Sequence, residues 1–276
     1  MERSAMDQKR KVRIIAVIVA NVILSIEIFH FLADEPERFR EVYAGAVQMA
    51  HPEHRLIGSG ASISLTSTSL EVMADEYSGS EMGFLYGSVS MTVPRYLSKS
   101  LPSDTKMTGM LQSFNGGHGV DHGAKTQARH ELTNLVENTF ATAVIELAEP
   151  LDEQQLDATF ADLVHTKTDT SFLFLSGLEA GMKKPIFWRP CAVYRADVCE
   201  GTSSLELYRQ WMSRLSWLDS IGFAQLGLNV NRLREAAWEG RAYGLLVSGY
   251  PQPWLLEILN MPAVRTIRIV ETWTIG

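Results

Sequence analysis

Three residues in one short stretch have the types and spacing for metal chemistry: His118, Asp121 and His122, in HGVDH. Two imidazoles and a carboxylate suit zinc or a similar ion, and His130 is a further donor downstream. Sites of the H-E-x-x-H kind work because a helix brings both histidines to one face. Here Gly116, Gly117, Gly119 and Gly123 surround the group, so the sequence predicts a solvated loop, with no metal and no other cofactor expected. Nucleophilic catalysis has no support either. There is no G-x-S-x-G, no S-x-x-K with its partner motifs, and no Gly-rich phosphate loop after a strand. Ser248, in LVSGYP, sits among turn residues at a strand end and reads as structural. Trp211, Trp217, Trp238 and Trp254 fall on predicted helices and read as packing anchors. No catalytic residue is expected, and the chain is read as a non-enzyme. The chemical alternative is a membrane-anchored, metal-dependent hydrolase using His118, Asp121 and His122.

The chain of 276 residues carries a net charge of −7, which argues against a nucleic-acid-binding surface. Cys191 and Cys199 either pair outside the cell or are two small residues in or near a strand; two cysteines do not make a disulfide scaffold.

The element that places everything else is Ile14–Ala33, IIAVIVANVILSIEIFHFLA. Thirteen of its twenty residues are Ile, Val, Leu or Phe. As a helix it is about 30 Å long, the apolar thickness of a bilayer, and those side chains contribute about −4 to −8 kcal/mol to insertion. Lys9, Arg10, Lys11 and Arg13 precede it, and Asp34, Glu35 and Glu37 follow. The positive-inside bias then predicts a single-pass protein, with residues 1–13 as a cytoplasmic tail, 14–33 as the anchor and the bulk extracytoplasmic. Asn21, an amide inside the span, is the residue expected to contact a partner helix. Glu27 and His30 share a helical face near the outer headgroups, where snorkelling to water explains them.

Beyond the anchor, residues 34–126 read as a β-rich lobe and loop. A helix is predicted over Pro36–Met49, strands at Ala61–Leu65 and within Glu81–Val93, and a loop over Leu101–Lys125. Residues 127–276 read as a second domain. Strands are predicted at Thr139–Leu147, Ser171–Leu175, Phe187–Tyr194, Arg241–Ser248 and Val264–Thr272. Helices are predicted at Asp152–Leu163, Ser203–Ile221, Asn229–Trp238 and Pro251–Leu259. Ser203 or Ser204 serves as N-cap of the longest helix, and Gly222 as its stop. The fold class is α+β: one transmembrane helix, a β-rich lobe, and a C-terminal α/β-sandwich-like domain built on one mixed sheet.

Gly240–Ile269, GRAYGLLVSGYPQPWLLEILNMPAVRTIRI, resembles the C-terminal end of the sigma factor regulator family, the extracytoplasmic domain of some anti-sigma factors. Tyr243–Gly249 matches the family's strand, Trp254–Leu259 its short helix and Pro262–Val270 its final strand. Ala141–Leu156 resembles the domain's opening strand and helix, and Ile14–Ala33 its single span. The thirteen residues before the span carry no Cys or His, so the family's usual sigma-binding domain, often with a zinc motif, has no counterpart there. The resemblance implies a membrane-anchored sensor or regulator that binds a protein partner, from a sigma-factor system or from the membrane, and transmits a signal. The edge of the C-terminal sheet is a further contact surface. A structural envelope protein is the remaining alternative.

Overall fold

Helix and strand periodicities alternate along the second half of the chain, and a computed structural model gives the elements they build. It describes residues 37–52, 54–63, 68–76, 89–94, 106–136, 138–160, 170–174, 185–216 and 219–274. In chain order these form helix α1 (37–50), strands β1 (His54–Ile63), β2 (Thr68–Glu76) and β3 (Val89–Pro94), and helices α2 (Lys106–Gln112) and α3 (His122–Thr133). Then come β4 (Thr139–Leu151), α4 (Glu153–Phe160), β5 (Thr170–Phe174), β6 (Ile186–Trp188) and a 3-10 turn at Pro190–Ala192. The chain continues with α5 (Ala196–Gly201), α6 (Ser204–Ser213), α7 (Asp219–Gln225), α8 (Val230–Glu239), β7 (Ala242–Pro251), α9 (Gln252–Asn260) and β8 (Val264–Thr274).

The fold is α+β with two open sheets. β1, β2 and β3 pair in sequence order, while the larger sheet runs β6-β5-β7-β4-β8, with every neighbour antiparallel. The expected mixed sheet is corrected by this pairing. β7 and β8 do point the same way, joined by α9, but β4 lies between them as a split β-α-β unit.

The membrane reading is corrected too. Asn21, Glu27, His30 and the run Ile14–Ala33 lie outside the described residues. Among the described residues no helix is long and apolar enough to cross a membrane. On that finding the single-pass topology, the placement derived from it and the bilayer as partner are corrected for the described residues, whose apolar side chains pack into protein cores.

Each face of the large sheet has its own core. On one, Val144, Leu173, Phe187 and Leu246 take Leu111 of α2 and Phe114 just after it. Alternation sends the neighbours Phe174 and Trp188 to the other face. There Phe174 stacks on Tyr208, and Trp188 packs on Tyr208 and Trp211 with centroids 5.1 and 5.6 Å away.

Several boundaries differ from the periodicity, each for a local reason. The single helix expected over Ser203–Ile221 is two. Ser203 caps α6 by accepting the Glu206 N–H, but Asp219 reaches back to the Ser216 N–H at 2.7 Å and its hydroxyl at 2.8 Å, starting α7 afresh. Gly222, the expected stop, lies inside α7, where a side chain would collide with the Tyr43 hydroxyl. β6 ends at Trp188 because Pro190 opens the 3-10 turn and lacks the N–H a ladder needs. Asn229 caps α8 and Gly240, at φ 64°, closes it in the left-handed region.

Cys191 and Cys199 pair as a disulfide, with Cα atoms 5.4 Å apart, tying the 3-10 turn to α5. A link over eight residues stabilises by about 2–3 kcal/mol in the chain-entropy model. The double variant Cys191→Ser/Cys199→Ser is expected to lose that amount in urea titration, and wild type under reductant should match it.

Candidate functional site

The candidate site is built on β8, the edge of the large sheet, and on one slip in its register. Thr266 lies opposite Glu146 and Val264 opposite Leu147, so Arg265 is the extra residue of a β-bulge. Strict alternation would send Arg265 and Arg268 to opposite faces. With the bulge, both guanidinium groups reach the same carboxylate.

That carboxylate is Glu146, whose side chain is 3% accessible in the apolar middle of β4. Arg268 Nη2 stands 2.5 Å from its Oε1, Arg265 Nε 3.9 Å from its Oε2, and the Asn115 N–H donates to Oε2 at 3.3 Å. The two arginines then hold the segment between α2 and α3. Arg268 donates to the Met110 carbonyl and the Ser113 hydroxyl, both at 2.7 Å. Arg265 donates to the carbonyls of His118 at 2.9 Å and Gly119 at 2.7 Å, and pairs with Asp121 at 2.9 Å. Gly117 and Gly119, both at positive φ, donate their N–H groups to Leu147 and Ala148 of β4. At Gly244, opposite Glu146 on β7, an added Cβ would sit 2.8 Å from the Phe114 ring, so only glycine lets Phe114 lie on the sheet.

Glu146 and Asp121 titrate in opposite directions. Burial pushes the Glu146 carboxyl above its ordinary 4.5, against the pull of Arg268, the Asn115 N–H and Arg265. The Ala124 N–H, with help from Arg265, holds Asp121 below its ordinary 3.8. The stability linked to Glu146 is therefore full below 4.5 and declines as pH rises through its higher folded value. That linked to Asp121 is present above 3.8 and is lost as pH falls through its lower folded value. Urea titrations from pH 4.5 to 7 should show a flatter stability slope in Glu146→Gln than in wild type.

The metal reading of HGVDH is corrected by these roles. Asp121 is the N-cap of α3, accepting the Ala124 N–H at 2.9 Å, and gives its other oxygen to Arg265. His122 opens α3 and is exposed, His118 is exposed, and His130 lies in the last turn of α3 beside Asn134. Among the described residues no group of three or more His, Cys, Asp or Glu could hold a metal ion. The predicted loop there holds only between the helices, because α2 occupies Lys106–Gln112 and α3 begins at His122.

Ser248 exchanges a 2.8 Å hydrogen bond with Thr142 across β4 and β7, a structural role. Trp211 is fully buried, as a packing anchor should be, whereas Trp238 is 87% exposed on α8 and is not one. Trp217 lies outside the described residues.

Between α2 and α3, against β8 and Glu146 of β4, lies a cavity of about 480 Å³. Its floor is Arg265–Ile269, one wall is Met110, Ser113 and Asn115, and the other is the stripe Ala124, Gln127, Ala128 and Glu131 of α3. Those α3 positions recur at three and four, so one helix face is turned to the groove. Among the described residues β8 has a strand partner, β4, on one side only.

Sequence reading did not single out Glu146, Arg265 or Arg268. The available signal was a carboxylate, Glu146, inside the apolar stretch AVIELA, together with a final strand that carries two arginines three apart.

The charged groups of the site engage one another and the loop backbone. Among the described residues no hydroxyl or thiol is hydrogen-bonded to Glu146, so no nucleophile stands beside a base. Compared with protein families, with curated proteins and with solved structures, the chain has no match. The sensor and regulator reading, with its signal across a membrane, is thus corrected: the finding is an α+β domain without a membrane-crossing helix or metal cluster among its described residues.

Proposed function

We propose that this chain is a non-catalytic binding domain whose ligand site is the groove between α2 and α3 on β8. One observation carries the reading: an open cavity of about 480 Å³ lies against β8, which among the described residues is an edge strand. The volume is in the range of ligand sites, about 300–1,000 Å³. The charged groups around it support binding over catalysis, because Glu146, Arg265, Arg268 and Asp121 already engage one another and the loop backbone. They make a rigid wall, which favours a preorganised site. The likeness of Gly240–Ile269 to the sigma factor regulator family remains a proposal about the β7–α9–β8 segment alone.

A fragment screen read by amide chemical shifts tests this. Hits are expected to perturb residues 110–131 and 265–269, and to vanish in Gln127→Trp, which fills the groove from an exposed α3 position. Hits that all map elsewhere, or that survive Gln127→Trp unchanged, overturn it.

A further inference from the structure

Resting on that reading of the groove, we infer that its occupant is an extended peptide carrying a cationic side chain, added to the free edge of β8 with that side chain on Glu131. The argument has two parts, one from the backbone and one from charge.

β8 is eleven residues long, and it pairs with β4 from Val264 to Thr274. In an edge strand alternate residues turn their N–H and C=O groups away from the sheet. Native sheets blunt such edges with a covering helix or charge. Here α2 and α3 flank the strand and leave a cavity between them, whose floor includes Thr266, Ile267 and Ile269. A groove with an open strand edge as its floor fits an extended backbone, which supplies the missing ladder. Of the β8 residues on this floor Thr266 is buried and Ile269 half-buried, and Met110 stands on the α2 wall.

Charge selects the peptide. The groove is lined by three carboxylates, Asp121, Glu131 and Glu146, against two guanidinium groups, Arg265 and Arg268. Asp121 and Glu146 are paired with those arginines. Among the described residues no arginine or lysine pairs with Glu131; it accepts a hydrogen bond from Gln127 at 3.1 Å and stands exposed on the α3 wall. Among the described lining residues the uncompensated charge is therefore negative and sits on the α3 wall of the groove. The chain as a whole, at −7, steers a cationic segment in the same direction.

The probe is a fluorescein-labelled octapeptide of alternating valine and threonine with one central lysine, titrated into the full chain and followed by anisotropy. Two companions are used: one with glutamate in place of the lysine, and one N-methylated on alternate backbone nitrogens. The lysine peptide should bind in the groove, as shown by competition with groove fragments. The glutamate peptide should bind roughly fivefold more weakly, the scale of one exposed ion pair, and Glu131→Lys should reverse that order. N-methylation in the pairing register should abolish binding, because it removes ladder donors.

Equal binding of the lysine and glutamate peptides overturns the charge assignment, and unchanged binding of the methylated peptide overturns strand addition. If groove fragments bind but no peptide does, this inference fails while the binding-domain reading stands; if neither binds, both fail. If sedimentation finds a dimer that the peptide must dissociate in order to bind, the edge belongs to a second copy and the inference fails.

Discussion

Replacing Glu146 with Ala is expected to cost about 3–5 kcal/mol of folding stability, the loss typical when one member of a buried ion pair is removed. The size follows from what stays behind. Arg268 would keep a guanidinium group against the sheet with its counter-charge gone, and the Asn115 N–H would lose its acceptor. Arg268 Nε is already buried without a hydrogen-bond partner, and the Met110 carbonyl and Ser113 hydroxyl that the group also reaches are neutral, so neither replaces the lost charge. Burial raises the Glu146 carboxyl, which means that the charged form is costly in its own right. Both partners replaced together should therefore be far milder than one alone. Glu146→Leu with Arg268→Met is expected to recover most of the loss, since two apolar groups leave nothing unpaired. Urea titration of the three proteins measures this. A loss below about 1 kcal/mol for Glu146→Ala would mean that the pair behaves as a solvated surface contact. Hydrogen exchange should report where the damage falls: in residues 110–121, which Arg265 and Arg268 hold, with the helices on the far face unaffected.

Trp211→Ala is the second large effect, about 3–5 kcal/mol for deletion of a large buried aromatic ring. Trp211 has no exposed surface and stacks on Tyr208 and Phe223 with ring planes within 17° and 19°. Its indole N–H donates to the Glu41 carbonyl of α1 at 3.2 Å, and Arg214 at the end of α6 pairs with the Glu41 carboxylate. At Gly45 an added Cβ would sit 2.6 Å from the indole nitrogen, so α1 meets the ring at a distance that only glycine permits. The variant should lose α1 docking first. Faster amide exchange over residues 41–50, with the β4–β7–β8 ladder still protected, is the expected pattern. Uniform loss of protection would instead show that α1 and the sheet unfold as one cooperative unit.

The two predictions probe opposite faces of one sheet, and the sequence showed those faces unequally. The aromatic face was legible. Trp211, on a predicted helix, read as a packing anchor and is fully buried, since burial of a ring needs no partner at an exact distance. Trp238 shows the limit of that reasoning, because it has helical spacing and is yet 87% exposed. Periodicity assigns a side chain to a stripe, but whether another element covers that stripe is a tertiary matter. The polar face was not legible. HGVDH drew attention because of its residue types, whereas its aspartate caps a helix and its imidazoles face outward.

What the sequence by itself determined is local: the positions of β4, β7, α9 and β8, the Ser203 and Asn229 caps, and the glycine that ends α8. Each is set by interactions within a few residues, through side-chain period, cap hydrogen bonds or a left-handed backbone. Only the tertiary structure decided the strand order, the Cys191–Cys199 link and the groove. The reason is clearest at Arg265. Residues 265 and 268 are three apart, which in a regular strand places them on opposite faces. A single bulge, fixed by pairing with a strand more than a hundred residues earlier, puts both on Glu146 and so forms one wall of the site.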